Sequence, residues 1–352
     1  MTKAPIPVQR HSRAEGVYVA GRGSGPHDGL HRFMNHGGRW DGTHLATVDQ
    51  LSALVWHPSL PVIYGVSGVG DDGSVHAWDV SGNNALTLAE MPSGGAEPCH
   101  LAVDPDARML VVTNYTTSTL AVWPLADDGS PIGEGELIEL RGASIDPDRQ
   151  NAAHPHQVVF NGDVLYVVDL GADVVRTFAV AEHGNGAEAL TPVREVPVPA
   201  GTGPRHLVVL PGGDVALSGE LASTVLTGCP DDCATGWLVS PSTERTGPAR
   251  SRNVRNYPGD IQCSTDGRLV YVANRGHDTI VTFAVGAGTP RLIAELDSGV
   301  KWPQHLLVAS DDLLVAGWDT SLVVAMPLAD GVPGKHRVLF ECAGAGWLLP
   351  TR

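Results

Sequence analysis

A frame of two extended runs joined by a turn recurs along most of this 352-residue chain and restricts its possible folds more than any other feature. Each well-formed copy opens on a proline, continues into an apolar run, and reaches a second apolar run after a turn. The copies begin at Pro98, Pro155, Pro204, Pro258 and Pro303, and a weaker one begins at Leu51. Their successive spacings of 47, 57, 49, 54 and 45 residues fall in the range of propeller-type repeats.

The two ends of the chain supply one further copy between them. Residues 16–23 (GVYVAGRG) match residues 269–276 (LVYVANRG), so the N-terminus carries a second strand whose first strand is missing. We expect the missing strand from residues 337–350 (RVLFECAGAGWLLP). Pairing the terminal strands closes the ring without leaving an open sheet edge. The sequence thus predicts an all-β fold, a seven-bladed β-propeller of four-stranded antiparallel blades with one blade closed by both termini.

The composition agrees with a single β-rich domain. The 42 glycines and 26 prolines separate short Val-rich runs, and no stretch has sustained helical periodicity. All-β folds often run long as one domain, and a repeat array favours that interpretation further. We therefore interpret residues 1–352 as one propeller domain with an N-terminal arm at 1–16.

The charge balance limits the possible partners. A formal net charge of −16 argues against nucleic acid and against anionic membranes, both of which attract proteins rich in Lys and Arg. No signal-like or membrane-spanning apolar run is present, and an odd count of five cysteines is typical of a reducing compartment. We expect a cytoplasmic protein. Free thiols are the expected state of Cys229 and Cys233, and a disulfide or metal site formed by the two is the alternative. No spacing of His, Asp or Glu forms a convincing ligand set, so we expect no metal and no cofactor.

Two positions in the frame change chemistry from copy to copy, and these are the candidate site positions. In a propeller the first strand of each blade lines the central channel, so constant positions build the core and variable ones build the site. Directly after the proline come Cys99, His156, Arg205, Gly259 and Gln304. At the end of the second strand come Gly68, Tyr115, Leu170, Glu220, Arg275 and Trp318, with Arg22 in the split copy.

Four of these residues fall on three consecutive copies, namely His156, Arg205, Glu220 and Arg275. An imidazole, a carboxylate and two guanidiniums at one end of a channel can bind an anion, activate water and stabilise a developing oxyanion. The alternative is a network of structural salt bridges between blades. Further candidates for substrate contact are His154, Arg22, Tyr115, Trp318 and Gln304.

Other conspicuous residues have a structural interpretation. His100, His206 and His305 occupy one repeated position, which Asp260 shares, and a recurring polar position predicts hydrogen bonds between strands. Trp78 and Trp123 are predicted to pack in third strands.

Several segments together resemble the lactonase family of seven-bladed β-propellers, which includes propeller-type 6-phosphogluconolactonases and fungal carboxymuconate lactonising enzymes. They are HPHQVVF, DLGADVV, GPRHLVV, SGELAST and VYVANRGHDTI. The resemblance implies a site of one His, two Arg and one Glu, which are His156, Arg205, Arg275 and Glu220 here. The chain departs from the family pattern at Ser67–Gly68 and at residues 316–318, which puts the substrate in question more than the reaction.

The resulting hypothesis is a hydrolase that opens an anionic sugar lactone, similar to a 6-phosphogluconolactonase. Arg275 or Arg205 would hold the anionic group, Glu220 or His156 would act as general base, and the other Arg would support the oxyanion. Two alternatives stay open. One is a carboxymuconate-type lactonising cycloisomerase that uses the same arginines, and the other is a non-catalytic propeller that binds a partner or metabolite. The oligomeric state is not predicted.

Overall fold

The structure is a computed structural model, and it describes residues 15–71, 73–231, 236–243 and 254–352. Cys233 and most of the predicted arm at 1–16 lie outside these ranges. The described chain divides into two compact units. The first unit comprises Gly23–Leu30 and His44–Gly201, and the second comprises 15–22, His31–Thr43 and Thr202–Arg352. The single domain over 1–352 stays a prediction.

The described chain is built from β-strands that follow one another closely. Those of its first half are β1 (Gly16–Gly21), β2 (Gly29–His36), β3 (Arg39–Thr47), β4 (Leu51–Trp56), β5 (Val62–Ser67), β6 (Ser74–Asp79), β7 (Leu86–Pro92), β8 (Pro98–Val103), β9 (Met109–Asn114), β10 (Thr119–Pro124), β11 (Glu136–Glu139), β12 (Pro155–Asn161), β13 (Val164–Asp169), β14 (Val174–Val180) and β15 (Leu190–Pro197). A short 3₁₀ helix spans Ala187–Ala189.

The second half continues in the same way. Its strands are β16 (Pro204–Val209), β17 (Val215–Gly219), β18 (Thr224–Gly228), β19 (Leu238–Pro241), β20 (Tyr257–Cys263), β21 (Leu269–Arg275), β22 (Thr279–Ala284), β23 (Arg291–Asp297), β24 (Pro303–Ala309), β25 (Asp312–Gly317), β26 (Leu322–Ala329), β27 (Val332–Pro333), β28 (Arg337–Glu341) and β29 (Ala345–Pro350).

These strands form seven antiparallel sheets over the described residues. Five sheets take four consecutive strands each, from β4–β7 to β20–β23. In the sixth, β24, β25, β26 and β28 pair in that order, and the two-residue β27 also pairs with β26. The last has the order β29-β1-β2-β3. The predicted fold class, an all-β seven-bladed propeller of four-stranded blades, is confirmed.

The two termini share one blade, as the sequence predicts. Strand β29 pairs antiparallel with β1, and the register sets Val17 opposite Pro350 and Val19 opposite Leu348. The predicted segment 337–350 divides between two sheets, however, because its first part is β28, the fourth strand of the preceding blade. Only Ala345–Pro350 supplies the missing first strand.

Burial explains why the second strands read as nearly continuous apolar runs. Strands β5, β9 and β21 are buried along all or almost all of their length, because both faces of a propeller sheet are covered. In the first unit, for example, Val111 and Leu120 of one sheet pack with Val167 and Phe178 of the next. The fourth strands, such as β11, are mostly exposed, which agrees with their polar sequences.

The recurring His/Asp position forms hydrogen bonds between first strands in the second unit. His206 Nδ1 of β16 lies 2.9 Å from Asp260 Oδ1 of β20. The other carboxylate oxygen of Asp260 accepts the Leu306 N–H of β24 at 2.9 Å, and the Leu348 N–H of β29 donates to His305 Nδ1 at 3.2 Å. The hydrogen bonds between strands that the sequence predicts at His206 and His305 are therefore present. We call His206, Asp260 and His305 the His–Asp belt.

Candidate active site

Three of the predicted site residues meet in the second unit. Glu220 Oε2 accepts hydrogen bonds from Arg205 Nη1 at 2.8 Å and from Arg275 Nη2 at 2.6 Å. The three residues are only 7%, 3% and 5% exposed for Arg205, Glu220 and Arg275. Two guanidiniums thus share a single carboxylate oxygen away from bulk water. We call these three residues the Arg–Glu cluster.

Strand ends hold the Arg–Glu cluster in place. Arg205 follows Pro204 at the start of β16, where the pairing with β17 is irregular. Glu220 comes directly after β17, and its N–H donates to Gly203 O at 2.8 Å. Gly203 has a left-handed φ of 58°, and a Cβ there would lie 2.3 Å from Leu221 Cγ, so glycine is required for this close approach.

Arg275 reaches Glu220 from the end of β21. Its Nε donates to Tyr257 O at 3.1 Å, which fixes the direction of the guanidinium. Gly259, the glycine in the variable position after the proline, lies beside it: a Cβ at 259 would be 3.0 Å from Arg275 Nε. The small residue in this copy therefore leaves room for the large one at the end of its neighbouring strand.

The Arg–Glu cluster carries more positive than negative charge. Its two guanidiniums are balanced by one carboxylate among the three residues, so the cluster has a net charge of +1. Ionic hydrogen bonds of this kind are stronger where water is excluded, and a planar guanidinium matches the oxygens of carboxylates and phosphates. The arrangement can therefore hold an anionic group and, at the same time, orient a carboxylate.

The Trp302 ring lies against the cluster with the Tyr257 ring beside it, and neither was predicted from the sequence as a site residue. The Arg275 guanidinium lies 5.4 Å from the centre of the Trp302 ring, and Trp302 lies 6.1 Å from Tyr257. Trp302 has a left-handed φ of 56°, and its backbone N–H donates a hydrogen bond to Asp278 Oδ1 at 2.9 Å. Sequence reasoning passed over Trp302 because it precedes the proline and so stands outside both variable positions.

Two more predicted substrate contacts pair with each other in the second unit. The Arg22 guanidinium lies 4.2 Å from the centre of the Trp318 ring, a cation–π contact between two members of the strand-end position.

Gln304 has a buried Oε1 that accepts no hydrogen bond from the described residues. An unused buried acceptor of this kind is available to a ligand that donates a hydrogen bond.

The other predicted residues lie in the first unit, where they form an aromatic group. Tyr115 stacks on His154 with ring centres 4.5 Å apart, and its edge meets His156 at 5.7 Å. His154 Nδ1 lies 2.9 Å from Tyr115 O, and the His156 carbonyl accepts a hydrogen bond from Cys99 Sγ at 3.4 Å. Because His156 and the Arg–Glu cluster belong to different units, the action of His156 with the cluster stays a prediction.

The His–Asp belt differs electrostatically from the Arg–Glu cluster next to it in sequence. Burial lowers the pKa of His305 to about 4 and also lowers the pKa of His206, against the opposing effect of Asp260. Burial raises the pKa of Asp260, because it favours the neutral acid. The charge interaction with His305 and the hydrogen bond from His206 have a larger effect together and hold the pKa well below its usual range. The belt thus keeps one carboxylate between two neutral imidazoles at neutral pH.

Over the part of the chain that the structure describes, no group of three or more His, Cys, Asp or Glu side chains is placed to hold a metal ion. The same residues contain no helix of the length and apolar character needed to cross a membrane. Cys229 is a free thiol in the described structure.

Residues 17–335 match the family model described as lactonase, 7-bladed beta-propeller. The chain belongs to this family of lactone-hydrolysing enzymes.

Named relatives cover most of the chain. It is 27% identical to a 6-phosphogluconolactonase from Formosa agariphila over 319 residues, which cover 85% of this chain and 88% of that protein. It is also 27% identical to a 6-phosphogluconolactonase from Bacillus subtilis over 262 residues, 70% of each. The solved structure of a periplasmic gluconolactonase from Pseudomonas aeruginosa has a TM-score of 0.80 at 24% identity and covers 95% of this chain and 98% of that one, a likeness of fold.

Proposed function

We propose that this chain hydrolyses a sugar lactone that carries an anionic group, of the 6-phosphogluconolactone type, at the Arg–Glu cluster. The observation that carries the proposal is the sharing of Glu220 Oε2 by Arg205 and Arg275, which brings two buried guanidiniums together on one carboxylate oxygen. Relatives named 6-phosphogluconolactonase support the same substrate class.

The chemistry follows from the residue types in the cluster. The anionic group of the lactone binds Arg275 or Arg205, and Glu220 accepts a proton from the water that attacks the lactone carbonyl. The neighbouring guanidiniums favour the ionised carboxylate that a base requires. The second arginine stabilises the tetrahedral oxyanion, whose collapse breaks the ring C–O bond and gives the open-chain hydroxy acid after proton transfer to the ring oxygen.

His156 remains the second candidate for the general base, as the sequence hypothesis has it. Comparing Glu220→Gln with His156→Asn identifies the general base. Loss of the base should lower kcat and also remove the part of the pH dependence of kcat that comes from its titration. His154, Arg22, Tyr115, Trp318 and Gln304 remain proposed substrate contacts, and a cytoplasmic location remains a prediction.

The test is a rate assay with three substrates: 6-phosphogluconolactone, unphosphorylated gluconolactone and a carboxymuconate. We expect the wild type to hydrolyse the phosphorylated lactone well above its spontaneous rate, and Glu220→Gln and Arg205→Ala to lose this activity. Arg337→Ala is a matched control, because Arg337 is an exposed arginine of the same unit that pairs with Asp312.

The outcomes separate the competing functions. Unchanged hydrolysis in both cluster variants would remove the proposed mechanism. Lactonisation of the muconate without lactone hydrolysis would identify the cycloisomerase instead. If no substrate turns over, but a lactone raises the Tm of the wild type and not of Arg275→Ala, the cluster is a binding site without catalysis.

A further inference from the structure

A second group of reactive side chains lines a cavity in the first unit. The cavity has a volume of about 560 Å³, and its lining includes Ser67, His76, Glu90, Asp49 and Gln50. Of the described residues that line it, none is Lys or Arg, and two, Asp49 and Glu90, carry carboxylates. This environment disfavours an anionic ligand and suits an uncharged or cationic one.

Three of these residues lie on adjacent strands of one sheet, in a register that brings them together. Ser67 ends β5, and His76 on β6 is opposite Gly65, so Ser67 and His76 are diagonal neighbours. Ser67 Oγ lies 2.8 Å from His76 Nε2. Glu90 on β7 is directly opposite His76. Residues directly opposite on antiparallel strands have Cβ atoms about 5 Å apart on the same face.

The imidazole is packed against an aromatic ring and is in the form that a base needs. The His76 ring stacks on Trp78 with an interplanar angle of 2° and a centre separation of 5.2 Å. Burial lowers the pKa of His76, while Glu90 acts in the opposite direction. His76 is therefore neutral at pH 7, and in the tautomer with its proton on Nδ1 it accepts the Ser67 hydroxyl proton at Nε2.

A serine hydroxyl within hydrogen-bond reach of a neutral imidazole, with a carboxylate beyond, is the arrangement that activates a nucleophile. We propose that Ser67 and His76 form a second ester-hydrolysing site, distinct in its residues from the Arg–Glu cluster, for uncharged or cationic carboxylic esters. Ser67 Oγ adds to the ester carbonyl as its proton passes to His76 Nε2. The alcohol leaves with that proton, and water then hydrolyses the acyl-serine by the same route in reverse, which restores Ser67.

The experiment uses an uncharged fluorophosphonate, which phosphonylates activated serines with loss of fluoride. We expect the wild-type protein to gain one adduct, located on Ser67 by peptide mass spectrometry. Ser67→Ala should gain none, and His76→Asn should react at least about 100-fold more slowly, the size of a general-base contribution.

Ser52→Ala is the matched control. Ser52 lies on β4 of the same sheet, but its hydroxyl donates to the Val66 and Pro98 carbonyls, so its removal should leave labelling unchanged. The site is disproved if the wild type gains no adduct at Ser67, or if His76→Asn is labelled at the wild-type rate. The mapping on the wild type decides the proposal even if a variant fails to fold.

Discussion

The Arg–Glu cluster and the His–Asp belt are two buried ionisable groups of the second unit that begin at adjacent residues, Arg205 and His206, and have opposite character. The cluster gathers two guanidiniums on one carboxylate oxygen, whereas the belt gathers two neutral imidazoles and a backbone N–H on another carboxylate. The belt residues occupy a position of the repeat where His or Asp recurs in several blades. The cluster residues occupy positions whose residue type changes from blade to blade. A recurring polar position holds strands together, and a position that varies is available for chemistry.

The largest expected effect is a loss of activity on substitution in the Arg–Glu cluster, which would distinguish the cluster from the His–Asp belt. Glu220→Gln keeps the shape of the side chain but removes the base, so kcat for lactone hydrolysis should fall about 10³-fold, within the usual range for general-base catalysis. Steady-state kinetics on the folded variant measures it. If kcat stays within threefold of the wild type, the cluster is a structural ion pair and the distinction between the two groups fails.

The reciprocal change in the belt should act on stability. Asp260→Asn leaves His206 and the Leu306 N–H without their charged acceptor, and removing one partner from a buried ionic group costs about 3 kcal/mol of the free energy of unfolding. Urea denaturation measures this loss. We expect kcat/KM of the folded fraction to stay close to that of the wild type, and a selective loss of activity would place the belt in the catalytic machinery.

The belt should also make stability depend on pH. Between the ordinary pKa of 6.5 and the folded value of about 4, the unfolded chain binds a proton at His305 and the native protein does not. Stability is therefore lost as the pH falls from 6.5 toward 4, by about 2 kcal/mol at pH 5 for this histidine. In His305→Asn, urea denaturation at pH 7 and pH 5 should show a correspondingly smaller difference. An equal difference in both proteins would contradict the low pKa.

The smallest expected effect concerns the position of Arg275. In Gly259→Ala the new Cβ would lie 3.0 Å from Arg275 Nε, so the guanidinium must shift by a few tenths of an ångström. We expect kcat/KM to fall about tenfold. This loss is smaller than that for removal of a functional group, because the Arg275 guanidinium is still present and is only displaced. Gly82→Ala is the control, since the nearest atom to its added Cβ is 4.0 Å away. A loss in both variants would mean that the effect is not specific to Arg275.

Much of this fold could be read from the sequence because the frame is periodic. Pro98, Pro155, Pro204 and Pro303 each begin the first strand that the repeat predicts, and the shared blade of the two termini follows from one missing strand. The division of residues 337–350 between two sheets could not be predicted, because an apolar run of this kind does not state which neighbour it pairs with. That choice depends on where the chain turns, between Glu341 and Ala345.

The candidate site was predictable in its members but not in its bonding. Variable positions identified Arg205, Glu220 and Arg275, yet nothing in the sequence states that both arginines bind the same carboxylate oxygen. Trp302 was missed because it precedes the proline and so lies outside both variable positions. Its left-handed backbone conformation has no signal in the residue type either. Ser67 and His76 were not connected, because their contact depends on the register of β5 and β6.

The most direct test of the central claim measures how the substrate's phosphate depends on the cluster's arginines. The ratio of kcat/KM for 6-phosphogluconolactone to that for gluconolactone should strongly favour the phosphorylated lactone in the wild type. We predict that this preference collapses toward unity in Arg275→Ala or Arg205→Ala, whichever arginine holds the phosphate, and persists in Arg337→Ala. A preference that is unchanged in both cluster variants would contradict the account.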